Sequence, residues 1–164
     1  MRVWSSRSSA QRGFTLVEML AVVAIVGVLA SAAQPLLLWA HKREQEYELR
    51  HALRTLRGAL DDYHQAVRDG RVKVAVGDNG YPPDLRALVD GVPLAGQPDA
   101  AKRIYFLRRL PRDPLADKTL PAEATWGLRS YDSPPTDPRP GTDVYDVHSR
   151  SEARAIDGSR YRDW

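Results

Sequence analysis

Glu18 is the residue that most needs a chemical explanation. It follows a short leader with three arginines (Arg2, Arg7, Arg12) and no acid, and it precedes an uncharged run over 19–40. A carboxylate at the mouth of an apolar segment is expensive in hydrocarbon, and such residues tend to pair and to be functional. Snorkelling to the interface is the simpler alternative for a lone Glu18. The other groups that could do chemistry do not assemble into a motif. The four histidines, His41, His51, His64 and His148, include no HExxH pair, and no Gly-rich phosphate loop is present. Asp61 and Asp62 are adjacent on a predicted helix and face different ways. The chain has no cysteine, which excludes disulfides, thiolate metal sites and a cysteine nucleophile. The sequence therefore reads as a non-enzyme.

Charge and hydropathy set the frame. The 164 residues carry 24 basic and 21 acidic side chains, a formal charge of +3. The three leader arginines account for the excess, so the balance is no sign of a nucleic-acid surface. The 22 uncharged residues of 19–40 would span roughly 33 Å as a helix, against a bilayer core of about 30 Å. That predicts a membrane segment. The run is too long for a secretory signal, although its small residues near 28–33 leave cleavage there open. Basic residues flank both ends, so charge alone does not choose an orientation. Trp39 suits the headgroup layer.

Beyond the run, Leu49, Leu53, Leu56, Leu60, Tyr63 and Val67 recur at spacings of four and three, one apolar seam at helical period. This predicts an amphipathic helix over 41–68 that packs on the chain's own sheet; a coiled coil of barely three heptads is the weaker reading. Arg50, Arg54, Arg57, Asp61 and Asp62 between them read as a solvated face. Asp69-Gly70 ends the helix, since glycine readily takes the left-handed cap. Val72, Val74 and Val76 suggest a short strand, 77–80 a turn, and Asp84 the cap of a short helix around Leu85, Leu88 and Val89. Residues 90–103 read as a flexible connection. Residues 125–131 and 144–148 read as strands, joined by a proline-rich loop over 132–142. The folded part is small, so the helical seam must supply much of its core.

Gly13-Phe14-Thr15-Leu16-Val17-Glu18, with the basic leader before it, resembles the processing motif of type IV prepilins and of the pseudopilins of type II secretion systems. Gly27 and Pro35 fall where relatives often carry glycine and proline. The 79–83 stretch and Leu110-Pro111-Arg112-Asp113-Pro114 resemble loop and turn motifs of major pseudopilins. The resemblance implies an α+β, type IV pilin-like fold: a long N-terminal helix packed on a small antiparallel β-sheet. It implies four parts: a cleaved leader (1–13), a transmembrane and assembly helix (14–40), its amphipathic continuation (41–68) and a periplasmic α/β body (69–164). A prepilin peptidase would cut after Gly13, and Phe14 would become the N-methylated first residue. In a bundle of such helices the Phe14 amine of one subunit would meet Glu18 of its neighbour. Pro35 would kink or locally melt the helix, or else start a second one.

The resemblance also implies partners and a place. Leader inside and body outside, the protein would sit in the bacterial inner membrane as a single span. It would then enter a periplasmic filament with itself and other pseudopilins, through an inner-membrane assembly platform, with no nucleic acid involved. Major pseudopilins carry a calcium site in their last loop, so calcium is the one implied cofactor; Ser149, Glu152 and Asp157 are the oxygen donors here, with Arg150 and Arg154 among them. Ordering of that loop by Tyr161 and Trp164 as aromatic plugs is the alternative. Two further readings remain open. One is a type IV pilus or competence pilin, for which the basic 102–112 stretch would serve DNA or be a solvated strip. The other is a non-polymerising, single-pass anchored periplasmic domain that binds a partner.

Overall fold

The computed structural model describes residues 14–96 and 102–164, with the side chains at 32–36 outside the described set. The order of elements is α1 (Leu16–Arg68), α2 (Ala87–Asp90), β1 (Val92–Pro93), β2 (Arg103–Ile104), β3 (Trp126–Arg129) and β4 (Asp146–Ser149). Two short 3-10 turns, Ala122–Thr125 and Tyr161–Asp163, precede β3 and follow β4. The chain divides into two compact units, Met1–His41 and Lys42–Trp164.

In the second unit, the predicted seam is the core. Leu49, Leu53, Leu56, Leu60 and Tyr63 of α1 are buried, and Ala52, Ala59 and Ala66 fill the gaps between them. They cluster with Leu85 and Leu88, with Trp126 of β3 and with Val144 and Val147 at β4. Each large apolar side chain buried here contributes about 1.5–3 kcal/mol. Helix α1 ends as the sequence predicts. Gly70 takes φ +71°, its amide donates to Val67 O, and the Arg71 amide donates to Ala66 O. This reciprocal pair satisfies the last carbonyls of the helix. Asp84 accepts the amide of Ala87, the first residue of α2, at 2.8 Å.

The sheet differs from the expectation. Among the described residues there are two separate two-stranded antiparallel sheets, β1–β2 and β3–β4. In the second, Trp126 pairs with Ser149 and Arg129 with Asp146; the first occupies the stretch read as a flexible connection. Val72 makes only an isolated bridge to Leu94, so no strand forms over 72–76. The reason is local. Val76 is fully exposed, and the Asp78 carboxylate and amide both bond to Ala75, turning the backbone away from any partner.

In the first unit, α1 starts at a polar cap. The Thr15 hydroxyl accepts the Glu18 amide at 3.3 Å, as an N-cap side chain does for the third helical residue. The backbone is helical through position 35, so Pro35 does not open a second helix. Among the described residues no helix is both long and apolar enough to cross a membrane. Of the uncharged run, the side chains at 19–31 are described without interruption, roughly 20 Å at 1.5 Å per residue. The expected span also includes positions 32–36.

Candidate functional site

The first candidate is the head of α1. Gly13 lies outside the described residues. Phe14 precedes the helix and is 74% exposed, and Glu18, the third helical residue, is also exposed. An acid there suits the positive end of the helix dipole. Leu16, Val17, Leu20, Val23, Ile25, Val26, Val28 and Leu29 are exposed around the helix. No single stripe is apolar; the whole circumference is. A helix that is apolar all round is built to be covered by lipid or by other helices. Gly27 has open space where a side chain would begin. The Pro35 side chain lies outside the described set.

The second candidate is the segment 149–164. Here the three expected calcium donors are engaged separately. Ser149 is fully buried, and its hydroxyl donates to the Asp113 carboxylate. Glu152 pairs with Arg162 at 2.8 Å. Asp157 accepts the amide and hydroxyl of Ser159 and faces Arg50 at 3.4 Å. The Ser159 bonds, more than Arg50, hold the Asp157 carboxyl below its usual range. Calcium takes about six to eight oxygens, several of them carboxylate. Among the described residues no cluster of three or more His, Cys, Asp or Glu could hold a metal ion. Ser149, Glu152 and Asp157 therefore do not fit the calcium site that the resemblance implies. Each carboxylate already has a guanidinium partner, and the hydroxyl is spent inside the core.

What orders the segment instead comes from α1. Glu46, buried, accepts the Ile156 amide at 2.7 Å and the Tyr161 hydroxyl at 3.0 Å. Arg57 donates to the Asp146 carboxylate at 2.8 Å and to the carbonyls of Val147 and Trp164 at 3.0 and 2.8 Å. The Arg50 guanidinium lies 4.1 Å from the centre of the Trp164 ring. Tyr161 is buried edge-on to Trp164, so the aromatic-plug reading describes the packing. Burial, and then the Glu46 carboxylate, push the Tyr161 hydroxyl up to about 12. Residues of the helix face read as solvated thus include two that hold a distant segment. Glu46 had a legible signal: it extends the apolar seam three residues before Leu49.

The turn at 110–114 is built into the same core. The Trp126 indole donates to Pro111 O at 2.9 Å, and the Asp113 amide donates to the Thr125 hydroxyl. The buried Asp113 carboxylate accepts the Leu115 amide and the Ser149 hydroxyl.

Two of the histidines, His64 and His148, are packed against other residues. His64 stacks on Tyr81 with 4.4 Å between ring centres. His148 lies over Gly127, where an added Cβ would fall 2.2 Å from Nε2. In the basic stretch, Arg103 donates to the carbonyls of Asp90 and Gly91, and Arg112 to that of Asp117.

Residues 8–34 match the family described as "Prokaryotic N-terminal methylation motif". The type II secretion system core protein G of Klebsiella michiganensis is 30% identical over 142 residues, which cover 84% of this chain and 92% of that one. The core protein G of Klebsiella pneumoniae is 32% identical over 63% of this chain and 69% of its own length. For that of Pectobacterium carotovorum the figures are 33%, 63% and 62%, so the match spans under two thirds of this relative. No solved structure matches. A methylation motif at the head of a helix whose first segment exposes apolar side chains all round, and relatives of one name aligned along most of the chain, lead to one conclusion: the chain belongs to the type II secretion system core protein G family of pseudopilins.

Proposed function

We propose that this protein is a structural subunit that polymerises into the periplasmic pseudopilus and so drives protein export by type II secretion. The observation that carries this reading is the prepilin motif at the head of α1, leading into a helix segment with apolar side chains exposed on every side. Such a surface needs two successive environments: lipid while the subunit is stored, and neighbouring copies once it is stacked. Cleavage after Gly13 frees the Phe14 amine. That cation pairs with Glu18 of the adjacent subunit and fixes one axial offset. Low dielectric strengthens the pairing while desolvation offsets part of it. Pro35 lets the helix bend as it packs. Before assembly the chain is a single span of the inner membrane, with the leader in the cytoplasm and the body in the periplasm. Its partners are the prepilin peptidase, the assembly platform, other pseudopilins and further copies of itself. The relatives' names favour the secretion filament over a surface pilus.

Intact-mass and N-terminal analysis of the protein from membranes tests the first step. With a co-expressed prepilin peptidase the expected product lacks residues 1–13 and carries one methyl group on Phe14. An uncut N-terminus beside an active peptidase would leave a plain membrane anchor and remove the filament reading.

A further inference from the structure

We infer that the segment 149–164 is locked to α1 by the side chains of Glu46, Arg50 and Arg57, which take the place of a divalent cation, so that its order does not depend on calcium. A calcium ion orders a loop by drawing carboxylates and carbonyls to one positive centre. Here the positive centres are guanidinium groups already fixed to a helix. Arg57 gathers the Asp146 carboxylate and the Val147 carbonyl of β4 together with the Trp164 carbonyl, oxygens of the kind a cation binds, and so ties the end of the segment to β4 and α1. A guanidinium carries five N–H donors in a rigid plane and stays charged at any working pH, so it serves as a permanent cation.

Glu46 supplies the opposite half of the lock. It satisfies the Ile156 amide and the Tyr161 hydroxyl from one buried oxygen. A charged acceptor of this kind is worth more than a neutral one, and the loss of either partner would leave a buried polar group unpaired. Arg50 contributes less. Its pair with Asp157 is half exposed on both sides, and such pairs add little; its place over the Trp164 ring covers the aromatic plug. Arg162 then faces the other two side-chain carboxylates of the segment, Glu152 at 2.8 Å and Asp163 at 4.0 Å. A calcium ion entering this segment would have to displace guanidinium groups, and Arg154 already holds the Gly158 carbonyl at 2.9 Å.

Hydrogen exchange of the full-length protein in detergent micelles, read by mass spectrometry on peptides covering 150–164, tests this. In the wild type, protection is expected to be the same in EGTA and in millimolar calcium. Glu46→Gln and Arg57→Gln are each expected to speed exchange in 150–164 by about tenfold, with no recovery on adding calcium. Peptides from 53–66 serve as the control for global unfolding. If a variant loses protection there too, the wild-type comparison in EGTA and calcium decides alone. Wild-type exchange that rises in EGTA and is reversed by calcium would overturn the proposal. So would variants that exchange at the wild-type rate. Neither readout depends on filament assembly, so its failure is separate from failure of the proposed function.

Discussion

The hydroxyl of Tyr161 donates to the same Glu46 oxygen that accepts the Ile156 amide, joining residues 115 positions apart inside the core. Tyr161→Phe keeps the ring packing and removes the donor, so the carboxylate loses one of its two buried bonds. The expected loss is about 1–2 kcal/mol of stability, measured by denaturant unfolding. The pH dependence has a definite sign. The folded hydroxyl titrates near 12 and the unfolded one near 10. The folded state therefore holds this proton more tightly. The stabilisation is fully present below pH 10 and is lost as pH rises through about 12. Wild-type stability should fall between these values more steeply than that of Tyr161→Phe; parallel curves would show that Tyr161 is not the group responsible.

Gly127 and His148 face each other across β3 and β4 in register. The imidazole occupies the space where a Cβ would stand. Gly127→Ala should therefore displace the ring and cost about 1–3 kcal/mol, the range for an overpacked core. Burial, with help from Arg162, Arg150 and Arg57, lowers the His148 pKa below its ordinary 6.5, against the opposing pull of Asp146. The unfolded chain binds this proton more readily. The contribution is present above about pH 6.5 and is lost as pH falls through the folded value. His148→Asn should flatten the decline in stability between neutral and mildly acid pH, as thermal melts at several pH values would reveal.

The parts of this fold that are legible in the sequence are those with a period or a local signature. The Leu49-to-Val67 seam shows its helix and its buried face together, and Gly70 marks the end through a conformation that other residues avoid. Strands β3 and β4 are flagged by large and branched residues bounded by proline and turn residues. Strands β1 and β2 are two residues each, one of them a proline, too short for any alternation to register. The lock escapes for another reason. Arg57 has the spacing of a solvated residue, and its partners lie 89 to 107 positions away. Nothing local distinguishes it from Arg54, which is exposed. The motif at Gly13–Glu18 is legible from resemblance, since a single glutamate carries no periodic signal.

Asp113 is a buried carboxylate in a turn, and its partners explain its chemistry. It closes its own turn through the Leu115 amide, with Pro114 fixing the backbone between, and it receives the Ser149 hydroxyl from β4. Asp113→Ala would leave that amide and that hydroxyl unpaired in a dry site. A loss of about 2–4 kcal/mol is expected, at the upper end for a charged acceptor. Asp113→Asn, which keeps one acceptor oxygen, should lose less than half of that. Ser149→Ala removes that hydroxyl donor and the acceptor of the Ser151 amide and should cost about 1–1.5 kcal/mol. Chemical denaturation of the three variants in parallel measures this ranking. Equal costs for Asp113→Ala and Ser149→Ala would mean that the Leu115 amide finds another partner.

Glu18 separates local helix chemistry from assembly. As the third helical residue, next to the Thr15 cap, it adds a favourable charge at the helix start worth about 0.3–1 kcal/mol. If that were its whole purpose, Glu18→Gln would cost little in any assay. The proposed pairing with the Phe14 amine of a neighbour demands more, because it needs the negative charge itself. Glu18→Gln and Glu18→Ala should both be cut after Gly13 and methylated like the wild type, since the cleavage point lies before the helix. Both should assemble poorly, with filament recovered in sheared fractions reduced at least about tenfold if one desolvated pair is lost per contact. Glu18→Asp keeps the charge on a shorter arm and should fall between. Wild-type filament yield from Glu18→Gln would reduce Glu18 to a helix-start residue and leave the axial offset to apolar packing. Uncut Glu18→Gln would place the carboxylate in peptidase recognition instead.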